Sequence, residues 1–171
     1  MRASVDDFLN LDITLKQTIC NTSGFIKLGM LEVVIFLNAN PESKIVIFFN
    51  SKAKYVHYVS ELERKLDEGG VGVDVMYIHG GLNKHDKFWR IRIFCGNHDS
   101  EIEELNTRGL LTTSAANDGI DNHILDYCIR FEFMRDLCTY IQEVGRGSQQ
   151  RGRSTTFIFM TTLQSYDFLV Q

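Results

Sequence analysis

Residues 45–49, "IVIFF", form an unbroken apolar run. Polar alternation appears only where one face of a strand meets water, so this run reads as a strand buried on both faces of a parallel sheet. Asn50 and Ser51 then offer a helix cap. Tyr55, Val59, Leu62 and Leu66 follow at spacings of four, three and four, which lines one helical face with apolar side chains. "DEGG" ends that helix, and "VDVMYI" (73–78) is the next strand. A strand, a helix of this length and a second strand predict a right-handed crossover unit. The alternation continues: a helix over 83–94 with Phe88, Ile91 and Phe94 inward, a strand at 109–113, another at 124–131, a helix over 135–144 and a fifth strand at 155–160. Alternating strands and helices predict a three-layer α/β sandwich. In such sheets ligands sit beyond the carboxyl ends of the strands.

The first forty residues are less periodic. "DDFLNLDITLKQTIC" and "GFIKLGMLEVVIFLN" are apolar enough to pack, and read either as helices or as a strand and a helix covering one side of the sheet. The single proline, Pro41 in "NANPESK", marks the best internal boundary. The expected division is therefore a packing or linker segment at 1–40 and the main domain at 41–171.

Composition narrows the functions open to this chain. With 171 residues, 44% hydrophobic and 23% charged, it is sized and composed as one globular domain. The net charge of −4 gives no overall attraction to nucleic acid, so an anion site must be a local cluster. Cys20, Cys95, Cys128 and Cys138 form no C-x-x-C pair and suggest a reducing compartment. The acidic N-terminus and the lack of a run of about 18 apolar residues argue against secretion and membrane spanning. Cys95 and His98 have a metal-compatible spacing, but no second ligand pair accompanies them, so no metal site is expected. Asp99, Glu101, Glu103 and Glu104 read as a solvated face.

Four polar segments stand out: "NSKAK" (50–54), "HGGL" (79–82) and "TTSAANDGID" (112–121) after the first three strands, and "QEVGRGSQQRG" (142–152) after the helix that follows the fourth. Each has a plain structural reading. The arginine-rich segment suits a solvated turn after a helix, where cations meet the negative end of the helix dipole. "NDG" suits a hairpin turn between two strands, and "HGG" a simple turn. In order and spacing, however, the four segments resemble motifs of the second RecA-like domain of superfamily 2 helicases. They are most similar to the RecQ-type DNA helicases. "FFNSKAK" resembles the motif IV region, "YIHGGL" the family's "YHAGL", "TTSAANDGID" motif V, and "YIQEVGRGSQQRG" motif VI, close to "YYQExGRAGRDG". The likeness runs from about Lys44 to about Met160.

The resemblance implies a RecA-like, P-loop NTPase-type parallel sheet with helices on both faces, and ATP-driven work on single-stranded or duplex DNA. It implies that Gln142 and Arg146 face the nucleotide, with Arg146 meeting the negative charge on the γ-phosphate as it transfers to water. Gly119 and Gly145 are assigned to the nucleotide side, and Asp121 either to the nucleotide sugar or to coupling of the two sites. Thr113, Ser51, His79, Gly80 and Gly81 are assigned to the nucleic-acid backbone, which glycine lets approach closely. The chain departs from the family at two positions. Gln149 stands where motif VI has its second arginine, leaving Arg151 as the candidate replacement, and Asn117 stands where motif V has glycine. No G-x-x-x-x-G-K-[ST] loop and no D-E-x-H strand end occurs. ATP with Mg²⁺ would thus require a first RecA-like domain, in cis or in trans, to hold the metal and phosphates. The setting implied is intracellular, nuclear in a eukaryote and cytoplasmic otherwise. Two rivals are a degenerate remnant that binds nucleic acid or protein without hydrolysis, and another phosphate-binding α/β domain such as a transferase. Against the latter, "NSKAK" cannot cradle a pyrophosphate as G-x-G-x-x-G does.

Overall fold

The computed structural model describes residues 11–18, 22–50, 52–96, 107–113, 125–132, 138–139, 142–143 and 155–162. In chain order the elements are β1 (Leu11–Thr18), α1 (Thr22–Ala39), β2 (Lys44–Phe48), α2 (Lys52–Gly69), β3 (Asp74–Ile78), α3 (Lys84–Cys95), β4 (Thr107–Thr112), β5 (Leu125–Phe131) and β6 (Thr155–Thr162). The six strands form one sheet in the order β1-β6-β5-β2-β4-β3. Every pairing is parallel. The five strands expected from apolar runs are all present within two residues of their predicted limits. Of the two readings of the first forty residues, a strand followed by a helix is the one found. β1 lies beside β6 at the sheet edge, with Leu11 opposite Thr155 and Thr18 opposite Thr162. Pro41 sits in the turn between α1 and β2.

β2 is the centre of the sheet, flanked by β5 and β4, and Ile45, Val46, Ile47 and Phe48 are all fully buried. Successive side chains of a strand point to opposite faces, and the core divides accordingly. Ile45, Ile47 and Phe49 join Ile26, Met30, Val33 and Leu37 of α1 and Tyr58, Leu62 and Leu66 of α2 in one cluster. Val46 and Phe48 join Phe94 and Cys95 of α3, with Cys128 and Phe157, in a second. Helices therefore cover both faces, as the alternation of elements predicts. Gly29 permits the close seating of α1: a Cβ there would come within 2.3 Å of the Phe131 ring.

Of the expected apolar stripe on α2, Val59, Leu62 and Leu66 are buried, and Tyr58 is buried with them, stacked on Phe131 at 5.5 Å. Tyr55 lies where side chains are not described. On α3 the expectation needs correcting. Ile91 and Phe94 pack inward, but Phe88 is 62% exposed, and Ile93 and Cys95 are buried instead. Arg90 is the reason. Its guanidinium stacks over the Tyr77 ring at 4.0 Å and donates to the Tyr77 carbonyl at 3.0 Å. A long cationic stem can cover apolar surface while its head stays hydrogen-bonded, and with Arg90 on the sheet side Phe88 turns outward, beside Arg92.

Candidate functional site at the carboxyl rim of the sheet

Because all strands run parallel, the residues that follow β2, β3, β4 and β5 stand along one edge. The ladder continues past the strand ends: Phe49 donates its N–H to Thr112 O at 3.0 Å, Thr113 to Ile78 O at 3.2 Å, and Glu132 to Met160 O at 3.0 Å. Glu132, Asn50, Thr113 and His79 thus form a row that follows the strand order. β4 and β5 both pair with β2 in parallel and lie on its opposite sides. The hairpin reading of "NDG", which requires those two strands to be antiparallel neighbours, is therefore excluded.

At the β3/β4 end of the row the site is built from main chain. His79 is 8% exposed, and its Nδ1 accepts from the Gly81 N–H at 3.0 Å, so that nitrogen carries no proton. Leu82 N–H donates to His79 O at 3.1 Å, closing a tight turn. The His79 ring lies nearly parallel to Tyr77, 6.4 Å away. Gly80 is exposed, and a Cβ built on it would meet nothing within 4 Å. The turn leads into α3, whose first turn Asn83 caps: its Oδ1 accepts from Asp86 N at 2.8 Å while its Nδ2 donates to Asp86 Oδ2 at 2.8 Å. The first bond satisfies one of the N–H donors that a helix start otherwise leaves orphaned, and the second holds the two side chains together. Thr113 is buried beside this turn, and Thr112 Oγ1 donates to its carbonyl at 2.7 Å. His79, Gly80, Gly81 and Thr113 are thus brought together. Of the backbone donors expected there, the Gly81 N–H is already engaged by His79.

At the β2/β5 end the site is built from buried charge. Arg130 near the end of β5 is 2% exposed and Glu143 is 0% exposed, and Nη1 of the arginine donates to Glu143 Oε1 at 2.7 Å. Nη2 donates to Asn50 Oδ1, beyond the end of β2. Burial pulls the Arg130 guanidinium below its usual range, and the nearby Glu143 and Glu132 oppose that pull. Burial first, and Glu143 second, push the Cys128 thiol well above the ordinary cysteine range. Residues 138–139 and 142–143 are helical, as expected for 135–144, and Gln142 is exposed next to the buried Glu143. The sequence reading gives Arg130 and Glu143 no role, and Asn50 only that of a helix cap. The signal was a lone arginine inside the apolar strand "LDYCIRF", since a buried charge requires a partner.

Ser51, Gly119, Asp121, Gly145, Arg146 and Arg151 lie outside the described residues, as do Asn117, Gln149, His98 and the acidic run from Asp99 to Glu104. Among the described residues no group of three His, Cys, Asp or Glu side chains could hold a metal ion. Among them, too, no helix is long and apolar enough to cross a membrane.

Comparison with known proteins agrees with this geometry. The model of the helicase conserved C-terminal domain matches residues 26–149, well over half of the chain. The ATP-dependent RNA helicase DBP4 of Vanderwaltozyma polyspora is 28% identical over 162 residues, covering 91% of this chain and 18% of that protein. DEAD-box ATP-dependent RNA helicase 50 of Arabidopsis thaliana is 28% identical over 139 residues, covering 81% of this chain and 17% of its own. The chain therefore spans less than a fifth of the length of these curated relatives. Among solved structures, the fold is similar to Mss116p DEAD-box helicase domain 2 bound to an RNA duplex, with a TM-score of 0.72, 12% identity, and coverage of 95% of this chain and 58% of that one. These relatives are RNA helicases, which corrects the finer part of the sequence resemblance: RecQ-type character, DNA repair and DNA recombination find no support. The four rim segments resemble motifs common to superfamily 2, so they mark the domain without separating its branches. The parallel sheet covered on both faces is the RecA-like fold, and the chain belongs to the helicase conserved C-terminal domain family of superfamily 2.

Proposed function

We propose that this chain is the second RecA-like half of an ATP-dependent RNA helicase, forming one wall of a nucleotide cleft and a strip of contacts to the RNA backbone. One observation carries the reading: the strand ends of the motif IV, "HGGL" and motif V segments share a single rim of the sheet, and the Arg130–Glu143 pair ties the motif VI helix to that same rim. The choice of RNA over DNA is supported by the relatives, which are named RNA helicases.

ATP, when bound, supplies the phosphoryl group whose transfer to water powers the cycle, and its Mg²⁺ is assigned to a first RecA-like domain. Exposed Gln142 at the rim fits a nucleotide approaching from that side. In this reading Gln142 orients the nucleotide, together with Asp121, Gly119 and Gly145. Arg146, with Arg151 as its companion, neutralises charge that develops on the γ-phosphate. His79, Gly80, Thr113 and Ser51 line the strand of RNA. Gly80 leaves room for a phosphate to reach main chain, and Gly81 takes part once its N–H leaves His79. A second reading, a binding module that hydrolyses nothing, rests on Gln149, a neutral residue where the family's motif VI has arginine.

Binding of labelled single-stranded RNA and of DNA of the same sequence, measured by fluorescence anisotropy with a complementing first domain present, tests the substrate. The expected result is tighter binding of RNA, weakening steeply as salt rises because phosphate contacts release counterions. Equal affinity for DNA would overturn the RNA assignment. No binding of either, at any salt, would overturn the strand-contact role.

A further inference from the structure

We propose that Arg130 is a positioning residue, which holds the helical segment carrying Gln142 against the end of β2 through simultaneous bonds to Glu143 and Asn50. Its link to catalysis rests on the motor reading above.

Two arginines are buried in this sheet, and their partners differ. Arg108 sends its donors to main-chain carbonyls at the end of α1 and in the turn that follows it: Leu37 O at 2.8 Å, Asn40 O, and Ser43 O at 3.0 Å. It closes a helix terminus, where orphaned carbonyls and the negative end of the dipole both favour a cation. Arg130 meets two side chains from two separate rim segments, 13 and 80 residues away in sequence. A buried ion pair is a poor device for stability alone, because desolvating both charges offsets their attraction, and apolar residues of similar volume serve as well or better. What the pair provides is geometry. The guanidinium is a rigid planar fork, so Asn50 and Glu143 are held at a set separation and angle. A displacement of the β2 end is thereby passed to Glu143 and to its neighbour Gln142. Asn50 opens the motif IV loop and Glu143 lies in motif VI, so Arg130 connects the strand-contact segment with the nucleotide-facing one.

The decisive variant is the apolar pair Arg130→Met with Glu143→Met, which removes the tie without stranding a charge. A conservative control, Arg130→Lys, keeps the charge but loses the two-pronged fork. Hydrogen exchange of the intact chain is read first. In the double variant the melting temperature stays within a few degrees of wild type. The amides of 138–143 exchange at least about tenfold faster, while those of β2 and β4 are unchanged, as local opening predicts. Unchanged exchange over 138–143 would overturn the proposal, whether or not the protein is a motor. RNA-stimulated ATP hydrolysis with a complementing first domain is read second. The expected loss is about a hundredfold in kcat with little change in KM, since small misplacements of a positioned group have that effect, and Arg130→Lys recovers only part of it. Wild-type kcat in the double variant would overturn the catalytic link. Absence of hydrolysis in the wild type would sink the motor reading instead, and leave the exchange result to decide the tie.

Discussion

The two ends of the carboxyl rim are built by opposite means. Beyond β3 and β4 the work is done by main chain: a tight turn, an exposed Gly80 and a histidine that holds one N–H in reserve. Beyond β2 and β5 it is done by fully buried charge, with Arg130 and Glu143 sealed from solvent and tied to Asn50. The contrast fits the two tasks that the proposed function assigns to this rim. A phosphate chain of unspecified sequence is met by backbone that lets it come close. A single developing charge calls for side chains held in register, and rigid support beneath them.

The largest effect that could break this comparison is on the charged end. Arg130→Ala leaves Glu143 buried without its guanidinium partner and is expected to cost about 3–5 kcal/mol in urea unfolding. A loss under 1 kcal/mol would show that the pair is solvated and the end not rigid. Next, Gly29→Ala drives a Cβ into the Phe131 ring, next to Arg130 on β5. A stability loss of about 1–3 kcal/mol is expected from overpacking. A smaller loss is expected at the main-chain end. His79→Ala removes the acceptor for Gly81 and costs about 1 kcal/mol, the usual worth of one hydrogen bond. Gly80→Ala meets no neighbour and should leave stability within about 0.5 kcal/mol, while weakening RNA binding.

The smallest effect concerns pH. Tyr127, stacked on Phe36 at 4.0 Å, has its hydroxyl pushed up from 10.0 to about 12 by burial and, secondarily, by Glu32. A raised pKa in the folded state means a contribution that is fully present below pH 10.0 and lost as pH climbs toward about 12. Tyr127→Phe should flatten the fall in stability across that window, measured by urea unfolding at several alkaline pH values. An unchanged slope would show that Tyr127 is solvated in the fold.

Much of this architecture is legible in the sequence. "IVIFF" reads as a strand buried on both faces, and β2, at the centre of the sheet, is that strand. The stripe Val59, Leu62 and Leu66 likewise declares the inner face of α2. The face of α3 was misread because periodicity counts apolar residues, and Arg90 reaches the sheet as a cation lying on Tyr77. The first forty residues stayed open because their period is mixed, and the edge pairing with β6 that decides β1 is a contact distant in sequence. The rim segments were legible through their order. The Arg130–Glu143–Asn50 network was not, since a lone arginine in a strand names no partner until the fold brings one.

The proposed function stands or falls with a nucleotide site completed between this domain and a first RecA-like domain. The most direct measurement is RNA-stimulated ATP hydrolysis in a mixture of this chain with such a domain, each protein alone serving as control. Turnover is expected only in the mixture, and it falls at least about a hundredfold with Arg146→Ala, as for loss of an electrostatic stabiliser of the transition state. Full turnover with Arg146→Ala, or none at any ratio of the two domains, would contradict the proposed function.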